Sequence, residues 1–165
     1  MSERKTEIAT LLTRLEALPD AQWMTSPPAP EEDLAALERK YGLTLPADYR
    51  ALMHVTDGFG LYVQPSKLNL ETAGDMLWHN QDPRFTESLP GMFVIGDDNG
   101  DGIFYYDPAG RLGKGRFALF YVDLGVIGFP HSKYVARDLT QLIHAILDGS
   151  DLWNQPHLGP VDEPE

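Results

Sequence analysis

The sequence predicts an α+β fold, with a mainly antiparallel sheet packed against N-terminal helices and a closing C-terminal helix. Three observations predict it. Helix-spaced apolar residues come first, strand-like apolar runs fill the middle, and a helical stripe returns only near the end. Segregation of helices and strands, rather than their alternation, marks separate layers instead of parallel βαβ units.

Each element has a local signal. Over residues 3–18, Ile8, Leu11, Leu12, Leu15 and Leu18 recur at helical spacing behind Ser2 as a cap, and Pro19 and Asp20 end the run. Trp23 and Met24 follow as a packing anchor. Pro27, Pro28 and Pro30 make a connector that no helix crosses, because proline lacks the amide proton and clashes with the preceding turn. A second helix, 31–41, begins with Glu31, Glu32 and Asp33, where the positive end of the helix dipole favours acids. Leu34, Leu37 and Tyr41 face inward, and Gly42 suits a left-handed cap. Pro46 fits the first turn of a third helix that buries Tyr49, Leu52 and Met53 and stops before Asp57-Gly58.

After Gly60 the period shortens. Residues 61–63 and 67–70 read as strands around Pro65, 71–79 as a short helix, and the stretch to Pro90 as loop. Residues 92–96 and 102–107 form a hairpin across an acidic, glycine-rich turn, 117–122 is a third run, and 126–129 pairs as a fourth. The final helix, 137–147, carries Leu139, Leu142, Ile143, Ile146 and Leu147 on one face, and Gly149 stops it. The expected organisation is an N-terminal helix and linker over 1–26, a domain over 27–149, and an acidic, proline-containing tail over 150–165 whose docking residue is Trp153.

Composition bounds the function. A chain of 165 residues reads as one domain, large enough to bury roughly 68–70% of its unfolded surface without staples. The absence of cysteine excludes disulfides, thiolate metal sites and thiol nucleophiles. Charged residues Glu3, Arg4, Lys5 and Glu7 interrupt the N-terminus, so no secretory apolar core is expected there. No run approaches a membrane span, and the expected location is the cytoplasm. Against 25 acidic residues stand 13 basic ones, a formal charge of −12. That balance disfavours nucleic acid and anionic membranes as partners. It steers a basic protein inward, although acidity serves solubility equally well.

Few residues suggest chemistry. Asp97-Asp98-Asn99-Gly100-Asp101-Gly102 matches the first half of an EF-hand loop. The second half fails, because the closing glutamate position is Pro108. A hairpin turn explains the same residues, since Asn-Gly and Asp-Gly supply positive φ; weak calcium between Asp97, Asn99 and Asp101 is the alternative. His54, His79, His131, His144 and His157 have no metal-ligand spacing. There is no Gly-x-Ser-x-Gly elbow. Gly110-Arg111-Leu112-Gly113-Lys114-Gly115 lacks the phosphate-loop spacing and no helix follows it. Asp97 with Asp98 or Asp107 could imitate a hydrolase dyad, but sequence carries no separation. No catalytic residue, cofactor or metal is therefore expected. In the aromatic cluster Phe104, Tyr105, Tyr106, Phe117, Phe120 and Tyr121, one sheet face is core; the other either packs too or presents tyrosines to a partner.

One block carries a resemblance. Glu31-Glu32-x-Leu34-x-x-Leu37-Glu38-x-x-Tyr41-Gly42-Leu43-x-Leu45-Pro46-x-Asp48-Tyr49-Arg50-x-Leu52, followed by Asp57-Gly58, resembles the signature of the SUKH superfamily. That group is named after the Smi/Knr fungal cell-wall (glucan) assembly regulators. Phe93-Val94-Ile95-Gly96-Asp97-x-x-Gly100 resembles its strand and Gly-Asp turn, and Val135-Ala136-Arg137-Asp138-Leu139-x-x-Leu142 its closing helix. The resemblance covers most of residues 28–148. Asp57 departs from a common asparagine, and either residue tolerates the turn. The resemblance implies an α+β protein without catalytic residues, acting as an immunity protein that neutralises a polymorphic toxin of nuclease or deaminase class. Acidity suits such a partner, because proteins that grip phosphate tend to be basic. Asp97, Asp98, Asp101 and Tyr105 are the expected contacts. A regulatory scaffold of the cell-wall type and a small carboxylate- or metal-dependent hydrolase are the other readings.

Overall fold

A computed structural model of the chain describes residues 2–159, with side chains from residue 7 onward apart from Trp153. The expected tail anchor, the Trp153 side chain, and residues 160–165 lie outside the described residues. Among the described residues, six α-helices and seven strands follow in the order α1 (Ser2–Glu16), β1 (Trp23–Thr25), α2 (Glu31–Tyr41), α3 (Ala47–Met53), β2 (Phe59–Val63), β3 (Ser66–Leu70), α4 (Ala73–His79), α5 (Pro83–Ser88), β4 (Phe93–Asp97), β5 (Gly102–Asp107), β6 (Ala118–Asp123), β7 (Lys133–Ala136) and α6 (Leu139–Leu147). The strands form a single sheet in sequence order, and every pair is antiparallel. The protein is therefore α+β, as its pattern of segregated elements requires.

The family-like block folds as a helix–turn–helix clasp. Gly42 takes φ 63° and sends its amide to the Glu38 carbonyl, ending α2. Pro46 precedes α3 as its cap residue. The Glu38 carboxylate accepts the Leu45 amide at 2.8 Å and binds Arg50, whose guanidinium also reaches Glu31 at 2.7 Å. One side chain thus satisfies the turn and ties α2 to α3. Asp57, at the signature's end, accepts the Ala73 amide at 2.9 Å and so starts α4.

Both faces of the sheet are buried. On one, α1, α2, α3 and α6 contribute Leu15, Leu37, Leu52 and Ile143, packed on Phe93, Phe104, Tyr106 and Tyr121. On the other, Val94, Ile103, Tyr105 and Phe120 lie under Phe85 and Leu89 at the end of α5, with Leu112 and Phe129 from loops. Residues 102–107 are consequently buried at every position instead of alternating.

Two expectations are corrected. The stretch before Pro90 contains α5, started by Pro83 at its first position and capped by Asp82, whose carboxylate accepts the Arg84 amide. Residues 126–129 form no strand: single 3₁₀ turns occupy Leu124–Val126 and Phe129–His131. Pro130 has no amide to give a ladder there, and β7, four residues later, pairs with β6.

Candidate functional site

The acidic turn between β4 and β5 is built from inside. Asp98 is buried, accepts the Tyr121 hydroxyl at 2.7 Å and the Gly102 amide at 3.1 Å, and closes the hairpin through its own amide to the Gly102 carbonyl. Gly102 is required, because a Cβ there would lie 1.9 Å from the Tyr121 hydroxyl. Burial, then the Asp98 carboxylate, pushes the Tyr121 phenol well up, so it stays a donor. Asp97 accepts the Asn99 amide at 2.7 Å and the Asn69 side-chain amide at 3.1 Å. Asn99 takes φ 60°, the positive value that asparagine tolerates. Asp101 is exposed.

The four expected contact residues therefore separate. Asp101 is exposed and Asp97 half-buried in the lining of a neighbouring hollow, whereas Asp98 is a structural group of the turn. Tyr105 is corrected: it is fully buried on the second sheet face, its hydroxyl donates to Ser132 Oγ at 2.6 Å, and burial pushes its phenol up. A ring with no accessible surface offers nothing to a partner. Among the described residues, no three or more His, Asp or Glu side chains are grouped so as to hold a metal ion.

Beside the turn lies a hollow of about 430 Å³, lined by Glu71, His79, Asp82, Arg84, Asp97 and Asn99 among others. His79 Nδ1 lies 2.6 Å from Glu71 Oε2. Burial pushes the Glu71 carboxyl up against the pull of His79, and Asp97 and Asp75 push it the same way. Asp82 is engaged by Arg84 at 2.9 Å. The hollow is thus of mixed charge: Glu71 meets His79, Asp82 meets Arg84, and Asp97 accepts from Asn69 and Asn99.

Helix α4, which supplies His79, also carries a residue that sequence reasoning missed. Trp78 is 71% exposed, with Lys40 Nζ 5.3 Å from its ring. A signal for it existed. Met76, Leu77 and Trp78 are consecutive, and three consecutive helical residues cannot all lie on one buried face.

A second concavity, of about 620 Å³, runs between α1, α3 and the start of α6. Tyr106 lines it, is completely buried, and has a hydroxyl with no hydrogen-bond partner among the described residues. Phe117, in edge contact with the Tyr106 ring at 5.5 Å, lines it too and takes φ 58°. That backbone region costs a residue with Cβ about 1–2 kcal/mol.

No curated protein matches the chain. The family model described as SMI1 / KNR4 family (SUKH-1) matches residues 28–144, a span that holds the clasp, the acidic turn, the hollow and most of α6. On that match the chain belongs to the SMI1/KNR4 (SUKH-1) family.

Proposed function

We propose that this protein is a non-catalytic protein-binding module of the cytoplasm, an immunity protein that neutralises a basic toxin of nuclease or deaminase class by covering it. Its family, its formal charge of −12 and its surface all support the reading. The observation that carries it is on α4 and the β4–β5 hairpin: a hollow lined by Glu71, His79, Asp82, Arg84 and Asp97, and, on the helix that supplies His79, the exposed Trp78. Tryptophan is among the residues that most often dominate binding energy at interfaces, and acidic rims raise association rates with basic partners. In this arrangement Asp97 and Asp101 meet the partner, while Asp98 and Tyr121 hold the turn that presents them. Co-expression with the toxin encoded by the neighbouring gene tests it. Rescue of growth by the wild-type chain, weakened by Trp78→Ala, is expected; absence of rescue with every neighbouring toxin overturns the reading.

A further inference from the structure

Three of the five histidines are engaged by charged side chains. His54 Nε2 lies 3.5 Å from Glu31, His79 Nδ1 2.6 Å from Glu71, and His144 Nδ1 2.8 Å from Arg14. His131 and His157 differ. Among the described residues, neither ring has a hydrogen bond or an ion pair, and each meets the other, with centres 6.2 Å apart and planes at 83°. Both residues are exposed. Far apart in the sequence, they escape any spacing rule, and only the fold brings them together.

The backbone beneath each ring is fixed. His131 ends the turn Phe129–His131, which the Ser132 amide closes on the Phe129 carbonyl at 3.0 Å and the Ser132 hydroxyl on the Gly128 carbonyl at 2.9 Å. His157 belongs to the segment 150–159, which docks on β7 at the edge of the sheet. His157 bridges to Lys133, the Leu158 amide donates to the Ser132 carbonyl at 2.8 Å, and the Gly159 amide to the Pro130 carbonyl at 3.1 Å. The Leu158 side chain packs on the second sheet face. The two rings thus share one seam, and only their side-chain torsions remain to be set. His157 lies beyond the family-matched residues 28–144, so the family does not supply the second ring.

The donor set selects a class of ligand. No Asp, Glu or third His joins the pair among the described residues. Imidazole nitrogen suits zinc, copper and nickel, whereas calcium and magnesium take oxygen. Lys133, opposite His157 in the bridge, adds positive charge, which works against an ion held by charge alone. Two imidazoles on one tetrahedral ion, each nitrogen about 2.0–2.1 Å away, put their ring centres roughly 5 Å apart. The observed 6.2 Å closes to that by rotation of two exposed side chains, with both backbones in place.

We propose that His131 and His157 form a two-imidazole site for a divalent transition-metal ion of the zinc class, which pins the segment 150–159 to the edge of β7. Water completes the coordination. The pinned segment covers backbone groups of an edge strand, the part of a sheet most open to pairing with another chain.

The test titrates the full, untagged chain with zinc chloride, and with calcium and magnesium chloride as controls, followed by calorimetry and by NMR of imidazole and amide signals. One zinc ion is expected to bind saturably below about 1 mM and to shift both rings; calcium and magnesium are not. His131→Gln and His157→Gln alter exposed rings and should fold. Each is expected to weaken zinc binding at least about tenfold, a loss that even an outer-shell partner of a metal ligand can cause. His54→Gln is expected to leave it unchanged. Zinc at about ten times its dissociation constant is expected to slow exchange of the Leu158 and Gly159 amides about tenfold, because only the docked segment presents both rings. No saturable binding, an equal response to calcium, zinc held undiminished by either variant, weakened binding in His54→Gln, or unslowed exchange overturns the proposal.

Discussion

Tyr106 and Tyr121 are both buried on the helical face of the sheet, yet their hydroxyls are in opposite circumstances. Tyr121 donates to the buried Asp98, and Tyr106 has no partner among the described residues. An unmade hydrogen bond costs a buried group its desolvation, so removing the hydroxyl should act with opposite sign at the two sites. Tyr121→Phe is expected to lower stability by about 1–3 kcal/mol, because it strips the phenol donor from a buried carboxylate. Tyr106→Phe is expected to leave stability unchanged or to raise it. Urea midpoints of the two variants, compared with the wild type, check both. The same scale shows where sequence reading stopped. Alternation along β5 could not choose between packed and outward tyrosines, since the choice depends on whether Phe85, Leu89, Leu112 and Phe129 cover the second face. Those residues come from segments whose apolar content is too sparse to show a period.

The clasp of α2 and α3 sets the expectations at the scale of elements. Burial pushes the Glu38 carboxyl up, but the hydrogen bonds from Arg50 and the Leu45 amide together outweigh it and hold Glu38 below its ordinary range. A carboxyl depressed in the folded state contributes stability that is present above its unfolded pKa and is lost as pH falls through the folded value. Glu71 has the opposite sign. Its raised carboxyl contributes stability present below the unfolded pKa, and that contribution is lost as pH rises through the folded value. Glu38→Gln is therefore expected to destabilise the protein near neutral pH and to flatten the loss of stability below about pH 4.5, where unpaired glutamates titrate. Urea unfolding across that range measures it. The helices of this region were legible because caps, prolines and apolar spacing all agree there. The helix α5 was legible only as Asp82-Pro83, a start signal without an apolar stripe behind it. The misplaced strand at 126–129 shows that a short apolar run beside proline does not define pairing.

At the scale of the whole molecule, the order of elements sufficed for the fold class. The hairpin signals marked the pairs β2–β3 and β4–β5, whereas β1 and β7, the edges of the seven-stranded sheet, were not read as strands. The candidate surface was less legible, because it joins the end of α4 to the β4–β5 hairpin, and only the folded sheet brings Glu71 and His79 beside Asp97. The acidic excess, in contrast, belongs to composition and needs no structure. If it steers a basic partner, association slows as salt rises, because exposed charges further apart than about 8–10 Å are screened at physiological ionic strength. Trp78 acts differently. Its contribution is short-range and shows in dissociation, so Trp78→Ala is expected to weaken the complex by about 2 kcal/mol or more with little change in association rate. Surface-plasmon kinetics of the variant against the partner separate the two effects.

The central claim is that this molecule acts by covering a basic protein. The most direct measurement is the binding of the purified chain to the toxin encoded beside it, at about 0.05 M and 0.5 M salt, with the toxin's activity read in the same samples. The account predicts saturable binding that abolishes the activity at stoichiometric ratio and weakens at least about tenfold in high salt, in keeping with the screening of exposed charges. Undiminished toxin activity in the presence of excess chain, or binding indifferent to salt, would contradict it.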